Sequence, residues 1–154
     1  MAKSTKDLKS ALGQLEETLE VYLIDKAPFQ LPENIKEIIV KFAPWISLIM
    51  LVVTIPAILL AFGLGALVAP FAFLGGLQAG VSFGFGMIFG VVVLVLEALA
   101  IPGLFGRKRS AWNLLFYATL IGAVQNVLSF NLGGLVIGTL VSLYFLFQVK
   151  SYYK

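Results

Sequence analysis

The feature that most constrains this chain is the absence of charge over two long stretches. No Asp, Glu, Lys or Arg occurs between Lys41 and Glu97, and none occurs between Arg109 and Lys150. A helix needs about 20 apolar residues to cross the hydrocarbon core of a bilayer. The first stretch has room for two or more such helices and the second for two. The sequence therefore predicts an all-α polytopic membrane protein.

The composition of the chain supports this class. Of the 154 residues, 60% are hydrophobic and 12% are charged, whereas a soluble domain is about half apolar and about a quarter charged. The sequence contains neither Cys nor His, which removes disulfides, thiolate and imidazole metal ligands, and cysteine nucleophiles. We therefore expect a protein that is not an enzyme and that holds no cofactor and no metal.

Two amphipathic helices are predicted in residues 1–43. In the first, apolar residues at alternating spacings of four and three form a short heptad seam: Leu8, Leu12, Leu15, Leu19 and Tyr22. So short a seam fits either a helix that lies on the bilayer or on its own protein, or a contact for self-association. The second helix, "ENIKEIIVKF", is expected to end at Pro44 and to lie in the membrane interface.

Four spans are predicted within residues 44–149, at about 45–64, 81–101, 111–129 and 134–149, followed by a short tail, 150–154. Basic residues, which prefer the cytoplasmic side, cluster before the first span, between the second and third, and after the fourth. Both termini are therefore expected to be cytoplasmic. The segment 66–80 is rich in Gly and Pro, and it leaves open an extended span, a re-entrant segment or a fifth crossing.

Lipid-anchoring roles are predicted for the basic loop and for the tryptophans. Arg107, Lys108 and Arg109 would bind anionic lipid, and Trp45 and Trp112 stand where an aromatic belt residue belongs, at the start of an odd-numbered span. The other partner expected is a second copy of the chain, or another membrane protein. Nucleic acid is not expected, because the remaining cytoplasmic charge is of mixed sign.

A repeated heptapeptide, "FGLGALV" at 62–68 and "FNLGGLV" at 130–136, follows each tryptophan by about one span. Both copies are predicted to be helix ends on the outer side. They reflect either an internal duplication or a shared turn geometry.

Three polar residues inside the predicted spans are candidate functional residues. Glu97 is the only ionisable one, and such a residue has either a proton or cation role or a structural, interfacial role. Pro102 is expected to end its helix soon afterwards. Gln125 and Asn126 would either hydrogen-bond a neighbouring helix or line a polar pore. Their predicted depth differs from that of Glu97, so no common site is expected.

Small residues at every fourth position predict close helix packing, either within one chain or between copies. The second span carries Ser82, Gly86 and Gly90, the third carries Ala118, Gly122 and Asn126, and the fourth carries Gly134, Gly138 and Ser142.

The segments "PGLFGRKRSAWNLLFYA" and "LYFLFQVKSYYK" resemble parts of small four-span membrane proteins of the bacterial inner membrane. The resemblance is confined to the C-terminal part of the chain and implies no activity. The function we expect is a non-catalytic, self-associating membrane scaffold or shaping component. The alternatives are a small oligomeric channel or transporter, and an accessory subunit of a larger membrane complex.

Overall fold

The computed structural model describes the backbone of residues 2–154 and the side chains from Ser4 onward, and this part of the chain is all-α. Its five helices are α1 (Ala2–Glu20), α2 (Glu33–Ala72), α3 (Leu77–Phe105), α4 (Arg109–Leu128) and α5 (Gly134–Gln148). A π-helical turn, Val21–Asp25, follows α1. The first part of α5, Gly134–Thr139, is also π-helical.

The predicted second amphipathic helix and the predicted first span form one helix. α2 runs without a break through Pro44, Pro56 and Pro70, so the predicted boundary at Pro44 was wrong. A proline removes one intrahelical hydrogen bond, but Val40 and Pro44 are buried against the protein, and this packing holds the helix on both sides of the proline. Five helices therefore replace the six that the sequence predicted.

The segment 66–80 is the tip of a helical hairpin. α2 continues to Ala72, a 3-10 turn follows at Phe73–Gly75, and α3 begins at Leu77. Gly76 has a φ of 104°, a conformation that only glycine adopts readily. The helix that contains the first predicted span therefore continues beyond residue 64, and α3, which contains the second predicted span, begins before residue 81.

The two copies of the repeat have different structures. The first copy lies inside α2, so the prediction that it ends a helix was wrong. The second copy contains the turn between α4 and α5, where Phe130 has a φ of 53°. The uncharged segments 62–80 and 128–134 are referred to below as the uncharged end.

Three helical segments are long and apolar enough to cross a membrane: Glu33–Gly75, Leu77–Phe105 and Arg109–Leu128. α5 is apolar but shorter, roughly 22 Å at a rise of 1.5 Å per residue. α2 and α3 pack side by side as a hairpin, α3 packs on α4, and α4 packs on α5.

The core lies where α3 and α4 are joined, and Trp112 is at its centre with no exposed surface. The Trp112 ring stacks on Phe116 at a centroid distance of 5.3 Å and meets Phe147 edge-to-face at 5.2 Å. Its Nε1–H donates a hydrogen bond of 2.7 Å to the Leu146 carbonyl. The predicted lipid-anchoring role of Trp112 was therefore wrong, because its ring is enclosed by protein.

The α3–α4 loop, α1 and the C-terminal residues meet at one end of the molecule. The Lys154 N–H donates to the Arg107 carbonyl at 2.9 Å, and the Arg109 N–H donates to the Lys154 carbonyl at 2.7 Å. Glu16 of α1 forms ion pairs with Arg109 and Lys150. This region, which includes the start of α2, is referred to below as the polar end: residues 4–41, 106–110 and 148–154.

These contacts change the prediction for the basic loop. The Arg109 guanidinium lies 4.2 Å from the centroid of the Trp112 ring and is paired with Glu16, so it holds α1 instead of facing lipid. Arg107 and Lys108 are exposed, and their lipid-anchoring role stays a prediction.

The heptad seam of α1 divides into two faces. Leu12 is half-buried and Leu19 packs against the core, on the side where Lys150 pairs with Glu20. Leu8, Leu15 and Tyr22 are exposed. One face of the seam therefore lies on the protein, and the other is available to a bilayer or to another chain.

Replacing Trp112 by Ala is expected to lower the free energy of unfolding by about 3 kcal/mol, because the change leaves a cavity at the centre of the core. The matched control is Trp45→Ala, since Trp45 is 55% exposed. Thermal unfolding in detergent, followed by circular dichroism, should show a clearly lower Tm for Trp112→Ala alone. Equal shifts in the two variants would contradict the buried position of Trp112.

Replacing Glu16 by Gln removes the carboxylate that Arg109 and Lys150 share. We expect α1 to loosen by about 1 kcal/mol, since the paired side chains are partly exposed. Amide hydrogen exchange in α1 should become several-fold faster at low salt. Glu17→Gln is the control, because Glu17 is exposed and forms no ion pair among residues 4–154. Equal exchange rates in both variants would exclude the ion pairs as the restraint on α1.

Candidate functional site

Glu97 lies further from the end of its helix than its sequence context predicts. α3 passes through Pro102 and ends at Phe105, which places Glu97 roughly 12 Å from the end of its helix at 1.5 Å per residue. The prediction that Pro102 ends the helix was wrong, because a proline one turn from a helix end removes only one backbone hydrogen bond. In the described part of the chain the ion pairs join Arg109 and Lys150 to α1, and none involves Glu97.

Glu97 faces a groove between α4 and α5. This groove has a volume of about 320 Å³ and is lined by small and polar residues: Glu97, Ala118, Thr119, Gly122, Asn126, Gly134, Gly138, Thr139 and Ser142. Residues of α4 that recur at spacings of four and three share one helix face, and Thr119, Gly122 and Asn126 follow this rule. We call it the α4–α5 groove.

A second cavity, of about 480 Å³, lies between α2 and α5 and is largely apolar. It shares three lining residues with the α4–α5 groove: Glu97, Thr119 and Ser142. Towards the polar end it is lined by Ile39 and Tyr153. Burial raises the pKa of the Tyr153 phenol, and the charge of Arg107 lowers it by a smaller amount, so this residue stays neutral at physiological pH. We call this space the α2–α5 cavity.

Two of the glycines that line the groove, Gly122 and Gly138, are not packing contacts within the chain, whereas a Cβ atom at Gly134 would lie 2.7 Å from Asn126 Oδ1. A Cβ atom at Gly122 or at Gly138 would meet nothing within 4 Å, and the same is true of Gly90. Close packing within one chain is therefore excluded at these three positions, whereas packing between copies stays a prediction. At Gly86 the nearest atom to an added Cβ is the Gln125 Nε2, 3.7 Å away.

One close approach of two helices involves residues that the sequence did not single out. A Cβ atom at Gly103 would lie 2.8 Å from the Cβ of Ala111, so glycine lets α3 and α4 meet beside their connecting loop. The sequence pattern that indicates this contact is a pair of small residues on either side of a short loop. Small residues at every fourth position of one helix do not indicate it.

Gln125 and Asn126 are adjacent in sequence but face different sides of α4. Gln125 lines a separate cavity of about 370 Å³ with Ser82 and Gly86, whereas Asn126 lines the α4–α5 groove. The expectation that Asn126 and Glu97 share no site was therefore wrong. Thr119 and Thr139, which the sequence reasoning missed, belong to the same groove.

The amide of Asn126 is tied to the turn before α5. Asn131 Nδ2 donates a hydrogen bond of 3.3 Å to Asn126 Oδ1. Asn131 Oδ1 in turn accepts a hydrogen bond of 2.9 Å from the Gly134 N–H, as an N-cap residue does at a helix start. This chain of contacts fixes the Asn126 end of the groove.

The groove offers oxygen atoms as its polar groups: one carboxylate, three hydroxyls and an amide carbonyl. Within residues 2–154 no cluster of His, Cys, Asp and Glu has the geometry of a metal site. A single carboxylate among hydroxyls can accept hydrogen bonds from another helix, or can neutralise one positive charge.

Comparison with known proteins assigns no family to the chain. No protein-family model, curated protein or solved structure matches it. The groove around Glu97 and the unequal charge of the two ends are therefore the features from which its function is inferred.

Proposed function

We propose that this chain is a non-catalytic integral membrane protein whose copies associate through the α4–α5 groove and form a membrane scaffold. It spans the bilayer four times, with both termini on the cytoplasmic side. The observation that carries this proposal is the groove itself. It is open, it is lined by Gly122 and Gly138, and no residue among 4–154 fills it.

The distribution of charge supports four spans. The polar end contains both basic clusters that flank α4 and α5, whereas the uncharged end holds no Asp, Glu, Lys or Arg. Lys and Arg favour the cytoplasmic side of a membrane. The basic residues before α4 and after α5 would therefore lie on the same side, so α5 would cross the bilayer in the direction opposite to α4. α5 is short for a span, and a bilayer adapts to a short span by local thinning at modest cost.

The cost of exposing Glu97 to lipid supports self-association. A carboxylate that faces hydrocarbon without a partner is unfavourable by several kcal/mol. A helix of a second copy can approach closely at Gly122 and Gly138, since small residues let helix backbones meet. Its own polar groups or bound water would then satisfy those of the groove.

The shape of the chain supports a role in bilayer curvature. α1 lies at the polar end, held by Glu16 and Glu20, and exposes Leu8 and Leu15. A helix with such an apolar face inserts partway into the headgroup region. Because the uncharged end has no comparable helix, one leaflet would be expanded more than the other.

We expect Gly122→Leu and Gly138→Leu to shift the protein towards a monomer, because a leucine side chain at either position would project from the groove and keep a second copy from covering it. The measurement is the mass of the protein in mild detergent by light scattering, at several concentrations. Gly63→Leu is the control, since Gly63 is also a helical glycine with nothing within 4 Å of an added Cβ, but it lies on α2.

A wild-type protein that stays monomeric at every concentration would overturn the proposed self-association. Equal oligomeric states for wild type and both groove variants would exclude this groove as the contact. Electron microscopy of vesicles that contain the protein tests the shaping role. Tubules or small vesicles are expected with wild type, and spherical, unchanged vesicles would rule this role out.

A further inference from the structure

We propose that the α2–α5 cavity and the α4–α5 groove form one pathway for a small monovalent cation, with Glu97 as its cation-binding residue. The pathway rests on the proposed function in one respect, because a second copy is needed to cover the open side of the groove. The observation behind it is that two separate cavities meet at a single carboxylate.

The two cavities adjoin each other. They share Glu97, Thr119 and Ser142, so the point of contact is lined by a carboxylate and two hydroxyls. From there the α2–α5 cavity reaches Tyr153 at the polar end, and the α4–α5 groove reaches Asn126 beside the uncharged end. Their volumes, about 480 and 320 Å³, are each sufficient for several waters at roughly 30 Å³ per molecule.

The charge inside the pathway favours cations. Glu97 is the only charged residue among those that line either cavity, and Tyr153 is the only other titratable one. No lysine or arginine side chain lines either space, so an anion would meet a negative charge without any compensation. A single negative charge suits a monovalent ion, whereas calcium sites usually gather several carboxylates.

The groups beside Glu97 are able to coordinate a cation. The Thr119 hydroxyl donates its hydrogen to the Leu115 carbonyl at 2.9 Å, which leaves its oxygen lone pairs free to accept or to bind an ion. Ser142 lies across the groove on α5. Glu97 itself has no hydrogen bond or ion pair with another group among residues 4–154.

The surroundings of the pathway are consistent with this role. Of the cations at the polar end, Arg109 and Lys150 are paired with Glu16 and Glu20, and the charge of Arg107 acts on Tyr153 at the end of the α2–α5 cavity. The π-helical segment of α5, Gly134–Thr139, lines the groove on the far side of Glu97. Single π-helical turns are rare and occur frequently at functional sites.

The test uses full-length protein in liposomes with a tenfold potassium gradient. Potassium efflux is followed with an ion-selective electrode and proton flux with an enclosed pH-sensitive dye, so the two assays distinguish an alkali cation from a proton. We expect wild type to carry at least one of these ions at least tenfold faster than protein-free vesicles. Chloride flux should stay at the background rate.

Glu97→Gln is expected to reduce the cation flux at least tenfold, and Glu97→Asp to retain part of it. Glu37→Gln is the matched control, because it removes an exposed carboxylate that lines neither cavity. If Glu97→Gln fails to fold, Thr119→Val takes its place. This substitution keeps the shape of the side chain but removes a hydroxyl, and it should lower the flux several-fold.

Cross-linking of the same vesicles separates this proposal from the proposed function. Wild type that is oligomeric but carries neither ion would overturn the pathway and leave self-association intact. A wild-type flux that Glu97→Gln and Thr119→Val leave unchanged, or that includes chloride, would also overturn it. A monomeric wild type would overturn the proposed function, whatever its flux.

Discussion

The packing of Trp112 between α4 and α5 is the contact on which the arrangement of the helices depends. Its ring stacks on Phe116 and meets Phe147, which joins the two C-terminal helices. Two cations lie over the same ring, Arg109 at 4.2 Å and Lys150 at 5.4 Å from its centroid, and both reach out to α1. The protein is therefore densely packed at the polar end, and its helices leave a groove between α4 and α5 towards the other end.

The helical class and the approximate positions of α3, α4 and α5 could be predicted from the sequence, because charge and hydropathy alone indicate apolar helices. The prolines could not be interpreted in the same way. Pro44 and Pro102 both lie within helices. At Pro44 the local cost of the proline is offset by burial against the rest of the protein, and Pro102 lies only one turn from the end of α3. Trp45 and Trp112 could not be distinguished from the sequence either, because a tryptophan at the start of a predicted span suits lipid and core equally.

The candidate site was predictable only in part. Glu97 could be identified from the sequence alone, because a single charged residue in a long apolar stretch is recognisable without knowledge of its neighbours in the fold. The separation of Gln125 from Asn126 depends on the rotation of α4 about its axis, and consecutive helical residues point about 100° apart. This rotation is set by contacts such as Gly103 with Ala111. Periodicity identifies the faces of a helix but not the neighbour that each face meets.

The unequal charge of the two ends has a consequence for handling the protein. Every lysine and arginine of the sequence lies outside the uncharged end, so in the four-span topology proposed above trypsin and amine-reactive labels would attack the molecule from one side only. In a sealed vesicle each copy would be either fully protected or fully susceptible, according to its direction of insertion. A single digestion therefore gives the fraction of molecules in each orientation, without an engineered tag or a reporter fusion.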